Sequence, residues 1–121
     1  MTHTQIPLLK SYWRGYPVTV TRVVDADTLD VIIDLGLGVQ KKERLRILDI
    51  DAPEVRGPEK EEGLRASAFV SAWVAAAGQL WISTKGEGKY GRLLAHVYNE
   101  DGYELSEVLL NEGLVLPYRK S

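Results

Sequence analysis

Thr28-Leu29-Asp30-Val31-Ile32-Ile33-Asp34-Leu35, followed by Gly36-Leu37-Gly38, is the stretch whose period decides the fold. Leu29, Val31, Ile33 and Leu35 fall on one side, and Asp30, Ile32 and Asp34 on the other. That alternation is the mark of a strand with one face buried. The glycines on either side of Leu37 read as a turn. Upstream, Pro17 to Val24 is rich in Val and Thr and reads as a strand. Asp25-Ala26-Asp27 breaks it as a tight connection. Downstream, a third strand runs from about Gln40 to Asp49. Leu45 and Ile47 take one face, with Asp49 placed there by parity, and Arg44, Arg46 and Leu48 take the other. The three strands form a hairpin that continues into a third strand.

Ile50 to Pro58 contains two prolines and reads as a loop. Glu59 to Ala77 has a helical period. Leu64, Ala68, Ala72 and Ala76 recur four apart with Phe69 and Trp73 beside them, which predicts an apolar stripe. Glu59, Glu61 and Glu62 occupy its first turn, where the helix dipole favours acids, and Gly78 is the expected stop. Leu80 to Thr84 and Arg92 to Tyr98 are the fourth and fifth strands, separated by a glycine-rich loop. Leu105 to Asn111 is a short helix, and Leu114 to Tyr118 an apolar end. Five short strands with a long helix between the third and fourth predict a mainly β, α+β fold: a five-stranded OB-type Greek-key barrel with a short helix after strand five. With 121 residues the chain suits one core. The expected division is an N-terminal arm over 1–16 and the barrel domain over 17–121.

There is no cysteine, which excludes disulfides, thiolate metal sites and cysteine nucleophiles. The two histidines, His3 and His96, are too far apart in sequence to suggest a histidine-rich metal site. No apolar run reaches the about 18 residues of a membrane span. Met1 to Lys10 lacks a basic and an apolar segment, so no signal peptide is visible and a cytoplasmic setting is expected; a leader removed earlier would instead mean secretion. The formal net charge of -2 argues against generic nucleic-acid binding but leaves room for a local basic site.

Three segments carry the chemistry: Asp25-Ala26-Asp27-Thr28, Arg46-Ile47-Leu48-Asp49-Ile50-Asp51-Ala52-Pro53-Glu54, and Lys89-Tyr90-Gly91-Arg92. Each alone reads as an ordinary turn or strand end. Together they hold what attack on a phosphodiester needs. Carboxylates hold a hard divalent cation. Arginines fork onto phosphate oxygens, and a further carboxylate takes a proton from water.

These segments resemble the staphylococcal nuclease, or thermonuclease, family over roughly residues 17–118. Val23-Val24-Asp25-Ala26-Asp27-Thr28, the run 46–54, Gly63 with Ala66, Lys89 to Ala95, and Leu109-Leu110-Asn111-Glu112-Gly113-Leu114 carry the likeness. The resemblance implies an OB barrel and a metal-dependent nuclease acting on DNA and RNA as a monomer without a membrane. It implies Asp27, Asp51 and the backbone carbonyl of Ala52 as metal ligands, Glu54 as general base, and Arg46 and Arg92 as the phosphate clamp. Lys89, Tyr90 and Tyr118 match positions near the nucleotide. Calcium is the implied ion, with magnesium left open by the residues. The competing expectation is a non-catalytic nucleic-acid- or protein-binding module of the same fold, motivated by the net acidity and by departures from the family pattern. Ala26 replaces a common glycine, Asp49 a glycine or apolar residue, and Gly88 an acid. His96, within strand five, is expected to be structural, as are Trp13, Trp73 and Trp81.

Overall fold

A computed structural model describes residues 15–87 and 91–118, without the side chains of Lys85 and Glu87. Gly88, Lys89 and Tyr90, and all of the expected arm but its last two residues, lie outside the described residues. Strand β1 (Gly15–Asp25) pairs antiparallel with β2 (Thr28–Gly36), and β2 with β3 (Val39–Ile47). Strand β4 (Ile50–Asp51) follows. A 3₁₀ turn (Gly57–Glu59) then leads into helix α1 (Lys60–Ala77). Strands β5 (Leu80–Glu87) and β6 (Leu93–Tyr98), helix α2 (Leu105–Asn111) and strand β7 (Leu116–Pro117) complete the chain. β1, β2, β3, β6 and β5 close a barrel, with β3 and β6 parallel and β5 returning to β1. This is the expected five-stranded OB-type barrel with its long helix between the third and fourth barrel strands. Among the described residues no helix is long and apolar enough to cross a membrane.

The alternation in β2 selects the core. Leu29, Val31 and Ile33 are buried, and Leu45 and Ile47 of β3 meet them, with Ile82, Ala95 and Val97 from β5 and β6. Leu35 departs from the pattern and is 45% exposed. The register explains it: β1 accompanies β2 only as far as the Val18–Ile33 pair, so the hairpin tip carrying Leu35 runs beyond the barrel. The tip turns through Gly36, Leu37 and Gly38, all at positive φ. Two of these are glycines, which adopt that conformation without a Cβ clash.

Helix α1 buries a different stripe from the one expected. Gly63, Ala66 and Val70 are buried, and Phe69, Trp73, Val74 and Ala77 pack against the core. Leu64 is 49% exposed, and Ala68, Ala72 and Ala76 face outward. Close approach, not side-chain size, sets the contact. A Cβ built on Gly63 would stand 2.0 Å from the carbonyl oxygen of Glu54, so only glycine lets the helix dock there. Side chains of Leu105 and Leu109 from α2 close the other side of the core.

Strand β3 also ends earlier than expected. Ile47 is its last residue, and Asp49 adopts φ 75° in the link to β4. A strand residue at that parity would point inward; Asp49 is instead exposed. A left-handed conformation is one that Asp tolerates better than most residues. β4 then pairs with β7, bringing Asp51 beside Leu116, and the Tyr118 amide donates to the Asp49 carbonyl at 3.0 Å.

Candidate active site

Three separate chain segments converge at the mouth of the β1–β2 connection. Asp27 is 7% exposed, and its carboxylate is fixed by two neighbours. The Thr28 hydroxyl donates to Oδ1 at 2.9 Å, and the Ala52 backbone amide donates to Oδ2 at 2.9 Å. Asp25, two residues earlier, accepts the Val55 amide on Oδ1 at 3.1 Å. Both carboxylates therefore strap the segment 52–55 to the first hairpin. Asp27 serves the site from its side chain, and Asp25 positions the backbone on which Glu54 stands. That role of Asp25 was not legible in the sequence, because its partner lies thirty residues away.

Ala26, between the two aspartates, is fully buried and is not among the residues with positive φ. The strain that a glycine-to-alanine change would bring to a left-handed turn does not arise.

Arg46 is the hub. Its Nη1 donates to the carbonyls of Ile47 at 2.9 Å and Ile50 at 3.0 Å. The same nitrogen stands 3.4 Å from Asp27 Oδ2, while Nη2 stands 3.3 Å from Asp51 Oδ1. The guanidinium carbon lies 5.8 Å from the centre of the Tyr118 ring, within cation–π range. A planar fork with five donors can meet carboxylates and carbonyls at once. The 46–51 segment is thereby curled around its own arginine, and Asp27 from the β1–β2 turn and Asp51 from β4 meet the same guanidinium.

The carboxylates fit a hard cation. Asp27 and Asp51 share one guanidinium, so their oxygens lie in a common neighbourhood, and the donors there are all oxygens. The contacts from Thr28, Ala52 and Arg46 engage three of the about four lone-pair sites of the Asp27 carboxylate, leaving one for a metal.

Glu54 is exposed on a cleft of about 350 Å³, shared with Arg22, Asp25, Arg44 and Arg56. Arg92 is half-buried directly before Leu93, the parallel partner of Leu45, and so stands at the start of the β3–β6 pairing. Tyr118 is exposed beside Arg46. Lys89 and Tyr90 lie outside the described residues.

A second polar cluster was not expected. His96 Nδ1 bonds to Glu104 Oε2, which also accepts the Ser106 hydroxyl at 2.8 Å, and Asp49 Oδ2 stands 4.0 Å from the same imidazole nitrogen. The exposed Asp49 thus faces a histidine. On the outer face, Arg44 forks onto Asp30 through Nε at 2.7 Å and Nη2 at 3.1 Å. The hydrogen bond from Arg44 holds the Asp30 carboxyl below its ordinary value.

The family described as "Staphylococcal nuclease homologue" matches residues 44–121. Endonuclease YncB of Bacillus subtilis (strain 168) is 40% identical over 107 residues, covering 80% of this chain and 46% of its own length. The SPbeta prophage-derived endonuclease YokF of the same strain is 39% identical over 107 residues, covering 80% of this chain and 32% of its own. An uncharacterized endonuclease of Escherichia coli is 29% identical over 101 residues, covering 84% of this chain and 60% of its own. The chain therefore spans between 32% and 60% of the length of these relatives. On the family match, together with a barrel of the expected order, this chain belongs to the staphylococcal nuclease family.

Proposed function

We propose that the chain is a metal-dependent endonuclease that hydrolyses phosphodiester bonds of DNA, RNA or both. The observation that carries this reading is the meeting of Asp27 from the β1–β2 turn, Arg46 from β3 and Asp51 from β4 around one guanidinium. The names of the relatives, endonucleases in each case, support it.

The chemistry assigned to each group follows from its setting. A hard cation, calcium or magnesium, would be held by Asp27, Asp51 and the carbonyl of Ala52, and when bound supplies positive charge to the phosphate. Arg46 is already pinned by carbonyls and carboxylates, so it presents charge to the phosphate without reorganising, which is where electrostatic catalysis gains most. Arg92 is the second arm of that clamp. Glu54 is exposed at a cleft, open to the water whose proton it takes, while its backbone is held by the Asp25–Val55 bond and by Gly63. Lys89, Tyr90 and Tyr118 are assigned to the nucleotide next to the scissile bond.

The test is cleavage of single-stranded and duplex DNA by purified protein, with calcium, with magnesium and with chelator, beside the Glu54→Gln variant. We expect metal-dependent cleavage that the variant slows by about 10²–10⁴-fold. An unchanged rate in the variant overturns the role of Glu54. No cleavage with any metal, together with retained binding, would establish the binding-module alternative instead.

A further inference from the structure

Arginines that the proposed chemistry does not use share a face with it. Lys42, Arg44 and Arg46 alternate along β3, and their β2 partners Ile32, Asp30 and Thr28 alternate in step, so all three cations stand on one side of the sheet. Successive charges in such a row are about 7 Å apart, twice the strand rise. Arg22 of β1 pairs with Asp30 of β2, which pairs with Arg44 of β3, setting Arg22 and Arg44 abreast across the hairpin. Arg56 reaches the same place from the other side. Arg22, Arg44 and Arg56 line one cleft of about 350 Å³, with Glu54 and Asp25 completing its charged wall. Three guanidinium groups gather here, balanced in number by Asp25, Glu54 and the adjacent Asp30, so the cleft offers placed phosphate-binding groups rather than an excess of positive charge.

The carboxylates in and beside the cleft have other duties. Asp25 accepts the Val55 amide, and Asp30 holds Arg44 by Nε and Nη2, which leaves the third guanidinium nitrogen for another anion. The open edge of that fork can meet a phosphate oxygen. The other two lining residues, Val24 and Val55, are apolar and offer no side-chain hydrogen bond.

We propose that this cleft is a backbone track for the substrate strand. Arg22, Arg44 and Arg56 bind the phosphates of a single nucleic-acid strand immediately beyond the bond attacked by the water that Glu54 deprotonates, and they do so without regard to sequence. The proposal rests on the nuclease reading only in that Glu54 fixes where the strand begins; the binding itself is independent of cleavage.

The experiment compares wild-type protein with an Arg22→Gln, Arg56→Gln double variant. Both side chains are exposed, so the fold should survive, and thermal unfolding checks that it does. Binding of a labelled single-stranded DNA oligonucleotide in chelator is followed by fluorescence anisotropy across a range of salt. The slope of log affinity against log salt should fall in magnitude by about 1.4, the value for two lost phosphate contacts on a single strand. The ratio of kcat/KM on the long oligonucleotide to that on a dinucleotide should drop roughly tenfold. An unchanged slope, or a ratio equal to the wild type's, overturns the track. If the wild-type protein cleaves neither substrate, the nuclease reading fails, and the salt slope still decides the track.

Discussion

Arg46 and Arg44 stand two residues apart on the same face of β3, yet the molecule treats them differently. Arg46 is held by two carbonyls, two carboxylates and an aromatic ring, and its side chain is 16% exposed. Arg44 has one carboxylate and a side chain 48% exposed. The first is built into the folding of the segment 46–51. The second is a screened surface pair of the kind that contributes little to stability. The difference teaches that a phosphate clamp is not a matter of having an arginine near a groove. It depends on neighbours that fix the guanidinium before the ligand arrives.

The sharpest way to break this comparison is to shorten each arginine in turn. Arg46→Ala should lower kcat/KM by about 10²–10³-fold, the cost of losing one pre-organised charge at a developing oxyanion. Arg46→Lys should recover little, because an ammonium cannot fork onto carboxylates and carbonyls together. Arg44→Ala should cost at least tenfold less than Arg46→Ala. Equal losses at the two positions would mean that pre-organisation does not distinguish them.

A second test leaves both arginines in place and moves the base. Gly63→Ala puts a Cβ within 2.0 Å of the Glu54 carbonyl oxygen, and a backbone atom cannot swing away as a side chain would. Overpacking of this kind costs about 1–3 kcal/mol, and the shift falls on the segment carrying Glu54. Urea unfolding should show the loss of stability, and turnover of the folded fraction should fall as well. Stability and turnover both equal to the wild type's would show that α1 does not dictate where Glu54 stands.

The smallest effect belongs to the outer pair. Asp30→Asn removes the partner of Arg44, and the stability difference should be small and indistinguishable from zero at high salt. The same pair gives a pH signature. Asp30 has a carboxyl held below its ordinary value of 3.8 by Arg44. Its contribution to stability is therefore present above that value and disappears as pH falls through the lower folded value. Acid unfolding of wild type and Asp30→Asn should converge there. Tyr98 works at the opposite end: burial raises its phenol above 10.0. Stability should decline as pH climbs past 10.0, and less steeply in Tyr98→Phe.

Much of this was readable in the residues before any geometry. The two-residue period of Leu29, Val31 and Ile33 placed β2 and its buried face, because alternation on a pleated strand leaves one face to the core. The order of strands and the long helix followed from the same local periods. The Asp27, Arg46, Asp51 and Glu54 set stood out because carboxylates and arginines at strand ends have chemistry of their own.

Other features belong to the tertiary structure alone. Leu35 obeys the alternation and is exposed, since the barrel ends before it. Leu64 looked like an anchor and is exposed, since α1 docks through Gly63, where the neighbour is a backbone carbonyl that no helical period announces. The strap from Asp25 to Val55, the sharing of one guanidinium by Asp27 and Asp51, and the cleft joining Arg22, Arg44 and Arg56 link residues far apart in the chain. Local sequence fixes which face a side chain takes, through backbone geometry repeated every two or nearly four residues. Which faces meet is settled by the closure of the barrel, and there the candidate active site is assembled.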